Sequence, residues 1–299
     1  MTDAALSLAD IQIRDPFVLT VPEEGAYYLF GSTDADIWHP PATGFDAYRS
    51  TDLASWEGPI PAFRPPAGFW SDRNYWAPEV HRHDGRYFMF ATFHAEGVRR
   101  GTQILVADKS AGPYEPYSDG PVTPRDWECL DGTLHVDEQG DPWIVFCHEW
   151  VQAIDGEVVR QRLSADLRET VGEPEVLFRA SEAPWARPLQ HPRIPEGTHA
   201  YVTDGPFVHR LTGGGLIMLW SSFGDQGYAM GIARSASGTL AGPWMQEEHP
   251  IWGADGGHGM IARTLEGGLL LTLHQPNTTP DERAVFRSLR ESADSVQLA

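Results

Sequence analysis

The 299-residue sequence predicts an all-β protein: a single-domain, five-bladed β-propeller of four-stranded antiparallel blades. Three observations lead to this prediction. One hairpin-like unit recurs five times, and self-similarity at a period of tens of residues is typical of repeat architectures. The chain also carries 30 glycines and 24 prolines among short apolar runs. No convincing amphipathic helix is longer than a turn or two.

The first half of each unit predicts a β-hairpin. A short apolar strand leads into a turn built on Glu-Gly, Asp-Gly, Gln-Gly or Gly-Gly, and a second strand of alternating or continuous apolar residues follows. The five stretches are RDPFVLTVPEEGAYYLFGST, WAPEVHRHDGRYFMFATF, LDGTLHVDEQGDPWIVFCHEW, TDGPFVHRLTGGGLIMLWSSF and GHGMIARTLEGGLLLTLHQP.

The second half of each unit predicts the outer strands. Four units continue with FDAYRSTDLASWEGP, GTQILVADKSAGPYEP, EVVRQRLSADLRETVGEP and YAMGIARSASGTLAGPW, whereas the fifth offers only ERAVFRSLRE. The predicted blades cover approximately residues 10–60, 70–118, 128–178, 200–247 and 255–292. A β-sandwich is the competing fold, but it does not require these elements to recur so regularly.

Charge and composition limit the class of partner. Lys and Arg total 22 against 42 Asp and Glu, a net charge of −20, which would repel a nucleic acid or an anionic membrane. The N-terminal stretch lacks a basic region followed by an apolar one, and no segment approaches the roughly 18 apolar residues of a membrane span. We therefore expect a cytoplasmic protein with a neutral partner; the oligomeric state stays open. Cys129 and Cys147 lie in apolar runs without metal-ligand spacing, which predicts buried free thiols.

Acidic residues recur at one position of the repeat. In a propeller the innermost strand of each blade begins beside the central channel, so residues at the same repeat position gather at one mouth. Superposing the units puts Asp15, Asp131 and Asp204 at equivalent places, Glu79 one or two places further on, and His258 in the fifth unit. A single Asp before Pro or Gly is usually a turn former. Three at one position instead predict a cluster of interacting carboxylates.

The motifs around these residues resemble those of glycoside hydrolase family 43. They are Arg14-Asp15-Pro16, Trp76-Ala77-Pro78-Glu79, Leu130-Asp131-Gly132, Thr203-Asp204-Gly205-Pro206 and Gly257-His258-Gly259. The resemblance spans about residues 10 to 290. It implies a five-bladed propeller that hydrolyses arabinosides or xylosides with inversion. It also implies Asp15 as general base, Asp131 as the residue that orients the acid and tunes its pKa, and Asp204 as general acid. His258 would be the central histidine that often binds structural Ca²⁺, partly through water.

One departure from the family pattern concerns the acid. The family usually has Glu before Gly-Pro, whereas this chain has Asp204, one methylene shorter. An inverting pair needs carboxyl groups roughly 6.5–9.5 Å apart, so a shorter acid must be brought closer by the backbone. Glu149 is the alternative proton donor, although it also fits a partner of an Arg or of a sugar hydroxyl.

Further residues near the motifs are candidates for substrate contact. Sugar sites combine an apolar face with polar edges, which favours aromatic side chains at the strand ends, although each aromatic residue also fits packing between blades. The predicted substrate-binding residues are Arg14, Trp76, Glu79, Glu149, Trp150 and Phe223, with Trp38 as a further aromatic candidate. His39, His94, His148 and His274 are candidates only for hydroxyl contacts.

The sequence predicts an inverting glycoside hydrolase that acts on terminal or short-chain pentosides, α-L-arabinofuranosides or β-D-xylosides. Within the same fold, a fructan hydrolase or a glycoside phosphorylase is an alternative. Phosphorolysis, however, needs a basic phosphate pocket. A catalytically idle sugar-binding propeller, in which Asp204 marks loss of the acid, is the alternative outside the enzyme class. A protein-interaction propeller would lack the carboxylate cluster.

Overall fold

The computed structural model describes residues 5–192 and 194–299 and has the predicted propeller fold. Five four-stranded antiparallel sheets follow one another along the chain, and each sheet is built from four consecutive strands. The prediction of an all-β, five-bladed propeller is confirmed.

The strands are given blade by blade. The first blade has β1 (Arg14–Val21), β2 (Ala26–Ser32), β3 (Phe45–Ser50) and β4 (Glu57–Phe63); the second has β5 (Arg73–His83), β6 (Arg86–Ala95), β7 (Val98–Ala107) and β8 (Glu115–Pro116). The third has β9 (Cys129–Val136), β10 (Pro142–His148), β11 (Glu157–Leu163) and β12 (Thr170–Arg179). The fourth has β13 (Asp204–Arg210), β14 (Leu216–Gly224), β15 (Gly227–Ser235) and β16 (Trp244–Gln246); the fifth has β17 (Ile261–Arg263), β18 (Leu269–Gln275), β19 (Arg283–Glu291) and β20 (Val296–Leu298).

Helical structure in the described residues is confined to short segments. They are one α-helical turn, α1 (Trp150–Ala153), and three 3₁₀ turns at Leu8–Asp10, Pro22–Glu24 and Ala180–Glu182. In the part of the chain that the structure describes, no helix has the length and apolar character to cross a bilayer.

The fifth blade differs from its prediction. The sequence pattern offered no fourth strand there, but β20 pairs with β19 through Leu289–Leu298, Arg290–Gln297 and Glu291–Val296. This strand has only three residues, and only Val296 of the three is buried. Such a strand is too short to show an alternating pattern in the sequence.

The ring closes between the first and fifth blades without a strand shared by the two chain ends. The backbone N–H of Ile13 donates to the carbonyl of Glu282 at 3.2 Å. The Thr272 hydroxyl donates to the carbonyl of Pro16 at 3.0 Å, and Thr20 donates to Arg263 at 2.6 Å. These bonds hold the first inner strand against the last blade.

Apolar side chains fill the space between neighbouring blades. Aromatic rings dominate the contact between the first two blades, where Phe45, Phe63, Tyr75 and Phe93 lie with centroids 4.9–6.1 Å apart. Aromatic pairs of this kind contribute about 0.5–1.5 kcal/mol each beyond the area they bury. Both cysteines are buried and free, as predicted.

Candidate active site

A cavity of about 820 Å³ opens where the inner strands begin, and residues from all five blades line it. Its size falls within the roughly 300–1,000 Å³ of small-molecule sites. The lining residues include Arg14, Asp15, Trp38, Asn74, Trp76, His94, Arg100, Asp131, Glu149, Trp150, Asp204, Phe223, Tyr228, His258 and Asn277. The structure therefore brings the three predicted carboxylates together in one space.

A repeated backbone irregularity places these side chains. Near the start of its inner strand, each blade has at one equivalent position a residue in the left-handed region with φ between 46° and 58°, and Asn74 in the second blade is a further residue in this region. In blade order the equivalent residues are Asp15, Ala77, Asp131, Gly205 and His258. In the first four blades the pairing register shifts at this point, which indicates a β-bulge. Bulges re-aim side chains and are common beside active sites.

The predicted equivalence of Asp15, Asp131 and Asp204 is wrong by one residue at Asp204. Asp15, Asp131 and His258 are structurally equivalent, but Gly205 occupies the equivalent position in the fourth blade. Asp204 pairs with Ser221 and corresponds to Arg14, which pairs with Ser32. A side chain at Gly205 would lie 2.6 Å from the His258 ring, so glycine is required there for space as well as for its positive φ.

Asp15 is held in its ionised form. Burial opposes ionisation, but His258, Arg14 and His274 together with the Ser32 hydroxyl outweigh it and lower the pKa of Asp15. The Ser32 hydroxyl donates to Asp15 Oδ2 at 2.7 Å, and Arg14 Nε lies 3.6 Å from Oδ1. Its lowered pKa keeps Asp15 ionised, so the carboxylate is available to accept a proton from water.

Asp131 and Asp204 form an interacting pair that retains a proton. Burial raises the pKa of both side chains, and repulsion from Asp204 adds to the rise at Asp131, although His258 opposes it. Two nearby buried carboxyls titrate as a unit and resist double ionisation. The backbone N–H of Gly205 donates to Asp131 Oδ2 at 3.0 Å, and the Tyr228 hydroxyl donates to Asp204 Oδ2 at 2.8 Å. A proton retained near neutral pH is what a general acid requires.

His258 lies between the carboxylates. Its Nδ1 is 3.1 Å from Asp15 Oδ1 and 3.6 Å from Asp131 Oδ2. Burial disfavours its charged form, but Asp15, Asp131 and Asp204 together with Glu79 outweigh burial and raise the pKa of His258. The side chain is therefore suited to be an imidazolium that neutralises part of the negative charge.

The residues around His258 do not fit a calcium cage. A protonated imidazole cannot bind a metal, and Ca²⁺ takes six to eight oxygen ligands. Across residues 5–192 and 194–299 the structure shows no group of three or more His, Cys, Asp or Glu arranged to hold a metal ion. Calcium bound by His258 partly through water, as the family resemblance implies, stays a prediction.

The predicted substrate-binding residues fall into two groups. Arg14, Trp76, Glu149, Trp150 and Phe223 line the cavity. Trp150 lies on α1, directly after the third-blade hairpin. Glu79 points elsewhere: its Oε2 is 3.1 Å from His81 Nε2 and accepts a hydrogen bond from the Thr133 hydroxyl. Glu79 thus lies outside the cavity wall.

Glu149 is the partner of an arginine. Its Oε2 forms a short ion pair with Arg100 Nη1. Arg100 also lies over the Trp76 ring at 4.5 Å and donates to Asn74 Oδ1 at 3.3 Å. Burial raises the pKa of Glu149, but the arginine opposes that rise. The position of Glu149 therefore fits the interpretation as an arginine partner better than the interpretation as the proton donor.

Sequence reasoning missed Tyr228 and Arg100. Tyr228 holds the acid and stacks on His274 with ring centroids 5.6 Å apart. Both residues lie on third strands of their blades, outside the motifs at the inner strands. The only available signal was their repeat position near the start of β15 and β7. Among the candidate histidines, His274 Nδ1 accepts a hydrogen bond from the backbone N–H of Asp15 at 3.2 Å, and His148 Nδ1 lies 2.9 Å from Glu157 Oε2.

Fold and site together define a carbohydrate hydrolase with an ionised carboxylate beside a proton-retaining pair. The family model of the glycosyl hydrolases family 43 matches residues 9–291. The chain belongs to this family. The members of this family are glycosyl hydrolases, a class whose substrates are carbohydrates.

Three relatives place the chain within the family. The crystal structure of an endo-arabinase from Bacteroides thetaiotaomicron is 40% identical, with a TM-score of 0.89 over 97% of this chain and 98% of that one. An extracellular endo-α-(1→5)-L-arabinanase from Bacillus subtilis is 23% identical over 46% of this chain and 44% of its own length. An extracellular exo-α-(1→5)-L-arabinofuranosidase from Cellvibrio japonicus is 22% identical over 49% and 43%. The alignments span less than half the length of these two curated relatives.

Proposed function

We propose that the protein is an inverting hydrolase of α-(1→5)-linked L-arabinofuranosides, with Asp15 as general base and Asp204 as general acid assisted by Asp131. The observation that carries the proposal is the opposite electrostatic environment of the acids. Charged and hydroxyl neighbours lower the pKa of Asp15, whereas burial and repulsion from neighbouring carboxylates raise the pKa values of Asp131 and Asp204. Pairs of carboxyls with pKa values pushed apart are typical of acid/base sites.

In the proposed reaction, Asp15 removes a proton from a water molecule as that water attacks the anomeric carbon. The Asp131–Asp204 pair delivers its proton through Asp204 to the glycosidic oxygen, so the leaving sugar departs neutral. The new C–O bond forms on the face opposite the broken one, which inverts the anomeric configuration. The proton taken up by Asp15 and the proton lost by the pair are exchanged with solvent before the next turnover.

The Tyr228 hydroxyl compensates for the short acid. It donates to Asp204 Oδ2 and so fixes the carboxyl that would deliver the proton. Asp204 also enters the strand one residue before the left-handed position, so its side chain projects from a different point than those of Asp15 and Asp131. Both features support Asp204, rather than Glu149, as the acid.

The proposed sugar follows from the chain's relatives. The Bacteroides protein that matches nearly the whole chain at 40% identity is called an endo-arabinase. The two curated relatives are named for α-(1→5)-linked L-arabinose polymers or residues. The aromatic walls at Trp38, Trp76 and Trp150 fit an uncharged sugar with apolar faces. A cytoplasmic location, with short oligosaccharides as substrates, stays a prediction from the sequence.

The charges in the cavity favour water over phosphate as the attacking group. Each of the three arginines on its wall already faces an acidic side chain: Arg14 faces Glu282, Arg73 faces Asp72, and Arg100 faces Glu149. A phosphate needs arginines whose charge is not already paired.

Product analysis on linear substrates tests the proposal. Purified protein would be incubated with α-(1→5)-arabino-oligosaccharides and, separately, with β-(1→4)-xylo-oligosaccharides, with early products followed by proton NMR. We expect arabinosides to be cleaved and the first-formed product to carry the β-anomeric configuration. Cleavage of xylosides alone would overturn the sugar assignment, and an α-anomeric first product would overturn inversion. Binding without cleavage of either substrate would identify an idle sugar-binding propeller.

A further inference from the structure

A ring of inter-blade hydrogen bonds surrounds the central channel. The repeat places a second-strand side chain of the preceding blade where it could accept the backbone N–H of the left-handed inner-strand residue. In four of the five blade junctions this side chain accepts the bond: Ser32 from Ala77 at 2.9 Å, Thr92 from Asp131 at 2.9 Å, Ser221 from His258 at 2.8 Å and His274 from Asp15 at 3.2 Å. The repeat therefore specifies one acceptor per blade.

The exception is the junction between the third and fourth blades, where Cys147 occupies the acceptor position. Cys147 pairs with Leu130 just as Ser32 pairs with Arg14, so the two side chains are equivalent. A thiol is a weak acceptor and a weak donor. The Gly205 N–H that would meet it donates instead to Asp131 Oδ2 at 3.0 Å.

This exception gives two equivalent aspartates different partners. Ser32 accepts the N–H of Ala77 and passes its own O–H to Asp15 Oδ2 at 2.7 Å. Cys147 is fully buried, and burial raises the pKa of its thiol, which therefore stays neutral. The bond that Asp131 Oδ2 receives comes from a backbone amide in place of a hydroxyl. The hydroxyl bond to Asp15 is the shorter of the two, at 2.7 Å against 3.0 Å for the amide bond to Asp131, as is usual for O–H donors to a carboxylate.

We propose that Ser32 and Cys147 are positioning residues that reinforce the opposite protonation states of Asp15 and Asp131. The Ser32 hydroxyl stabilises the carboxylate of the base, whereas Cys147 withholds the equivalent hydroxyl from the acid pair, which then keeps its proton. The inference rests on the proposed function, because Asp15 is the base and the Asp131–Asp204 pair is the acid only there.

Other titratable groups also act on these aspartates. Those beside them are Arg14, Asp204, Tyr228, His258 and His274. Glu79 acts through His258, and Glu149 interacts with Asp204. None of these groups is removed by an exchange of sulfur and oxygen at residues 32 and 147, so such variants report on the hydroxyl, which at Ser32 both accepts from Ala77 and donates to Asp15.

The test is a reciprocal exchange, Ser32→Cys and Cys147→Ser. Two readouts are taken for each variant: the pH dependence of kcat/KM on an aryl α-L-arabinofuranoside, and carboxyl-carbon NMR titration of the aspartates, which needs no turnover. For Cys147→Ser we expect the pKa of the acid pair, and with it the alkaline limb of activity, to fall by roughly 0.5–1 pH unit. For Ser32→Cys the pKa of Asp15 and the acid limb should rise by a similar amount.

Cys147→Ala and Ser32→Ala are the matched controls. Cys147→Ala removes the thiol without adding a hydroxyl, so the pKa of the pair should stay where it is in the wild type. Ser32→Ala should reproduce the upward shift of Ser32→Cys, because both remove the donor. If Cys147→Ala matches the shift of Cys147→Ser, packing and not the hydroxyl is responsible, and the proposal is overturned.

An unchanged or raised pKa of the pair in Cys147→Ser would also overturn the proposal, since the serine would then only take the Gly205 N–H. If Cys147→Ser does not fold, the Ser32 variants decide the outcome: an unshifted pKa of Asp15 refutes the role of the hydroxyl. If the wild-type protein has no activity on arabinosides, the proposed function is refuted. The NMR titration would still test the roles of Ser32 and Cys147.

Discussion

His258 Nδ1 lies 3.1 Å from Asp15 Oδ1, a contact that joins the fifth blade to the first beside the cavity. The same nitrogen is 3.6 Å from Asp131 Oδ2, so one imidazole faces both equivalent aspartates. Without a cation, three buried carboxyls in this space would raise one another's pKa values. The contact therefore links the charge state of the base to that of the acid pair.

Replacing His258 by Gln should change both the pH–rate profile and the pH dependence of stability. With its cation lost, the pKa of Asp15 rises and the acid limb of activity moves to higher pH. Because the folded-state pKa of His258 is raised, its contribution to the free energy of unfolding is present below its ordinary pKa and is lost as pH rises through the folded value.

The wild-type melting temperature should accordingly fall as pH rises above neutrality, and His258→Gln should show a smaller fall, which comes from the raised pKa values of the Asp131–Asp204 pair. Thermal melts from pH 5 to 9 provide the measurement. Parallel melting curves for the two proteins across that range would show that His258 is not charged in the folded state.

The two catalytic aspartates should differ in their response to the leaving group. We expect Asp15→Asn and Asp204→Asn each to lower kcat on arabino-oligosaccharides by about 10²–10⁴-fold, with substrate binding largely retained. An aryl group with an acidic phenol needs little protonation, so Asp204→Asn should recover much of its rate on such a substrate, whereas Asp15→Asn should not.

Steady-state rates on a series of aryl arabinofuranosides with phenols of different pKa supply this comparison. Glu149→Gln is the control, because the Glu149 carboxylate forms an ion pair with Arg100 and is not expected to protonate the leaving group. A leaving-group response in Glu149→Gln, and none in Asp204→Asn, would transfer the acid role to Glu149.

Removing the Tyr228 hydroxyl should move the alkaline limb of the pH–rate profile to higher pH. This hydroxyl donates to Asp204 Oδ2 and lowers the pKa of that carboxyl, in opposition to burial. In Tyr228→Phe, the pair should hold its proton to higher pH, by roughly 0.5–1 pH unit, with some loss of kcat because the acid is less firmly held.

The pH profile of kcat/KM from pH 4 to 9 measures the shift. Phe223→Leu, which alters a ring that packs 5.7 Å from Tyr228, is the control for packing around it. A profile in Tyr228→Phe that keeps the wild-type alkaline limb would rule out this hydrogen bond as a determinant of the acid's pKa.

The propeller could be predicted from the sequence because its repeat is carried by local features. Each inner hairpin has its own turn residues and apolar strands, and these are visible without knowledge of the tertiary structure. The fourth strand of the last blade could not be predicted, since Val296–Leu298 is too short for a pattern and is recognised only by its pairing with β19.

The candidate site was predictable where its residues lie in inner-strand motifs, as Asp15, Asp131, Asp204 and His258 do. It was not predictable where residues reach the cavity from third strands, as Tyr228 and Arg100 do. The one-residue offset of Asp204 could not be read from sequence either, because it depends on Gly205 adopting the left-handed conformation that Asp15 and Asp131 adopt with full side chains.

Removing divalent ions should leave the protein unchanged. Because the raised pKa of His258 favours an imidazolium, whose nitrogens have no lone pair free for a metal, we expect that chelation by EDTA alters neither the melting temperature nor the rate. The measurement is a thermal melt and an activity assay before and after chelation. A loss that Ca²⁺ reverses in the wild type, but that is absent from His258→Gln, would establish the calcium site implied by the family resemblance.

Trp38 should contribute to substrate binding more than to the chemical step. Trp38 is 47% exposed and lines the cavity. Its ring packs edge-to-face against Trp76 with ring centroids 5.3 Å apart, and its indole N–H donates to Thr279 Oγ1 at 3.0 Å. A large apolar ring held open to solvent in a sugar site fits stacking against a pentose. Trp38→Ala should therefore raise KM by about 10-fold with little change in kcat, since the lost contact is made equally in the ground and transition states.

Trp143→Ala, beside the β9–β10 turn and outside this cavity, should leave KM unchanged. An equal loss of kcat and kcat/KM in Trp38→Ala would instead place the ring in contact with the reacting sugar only in the transition state.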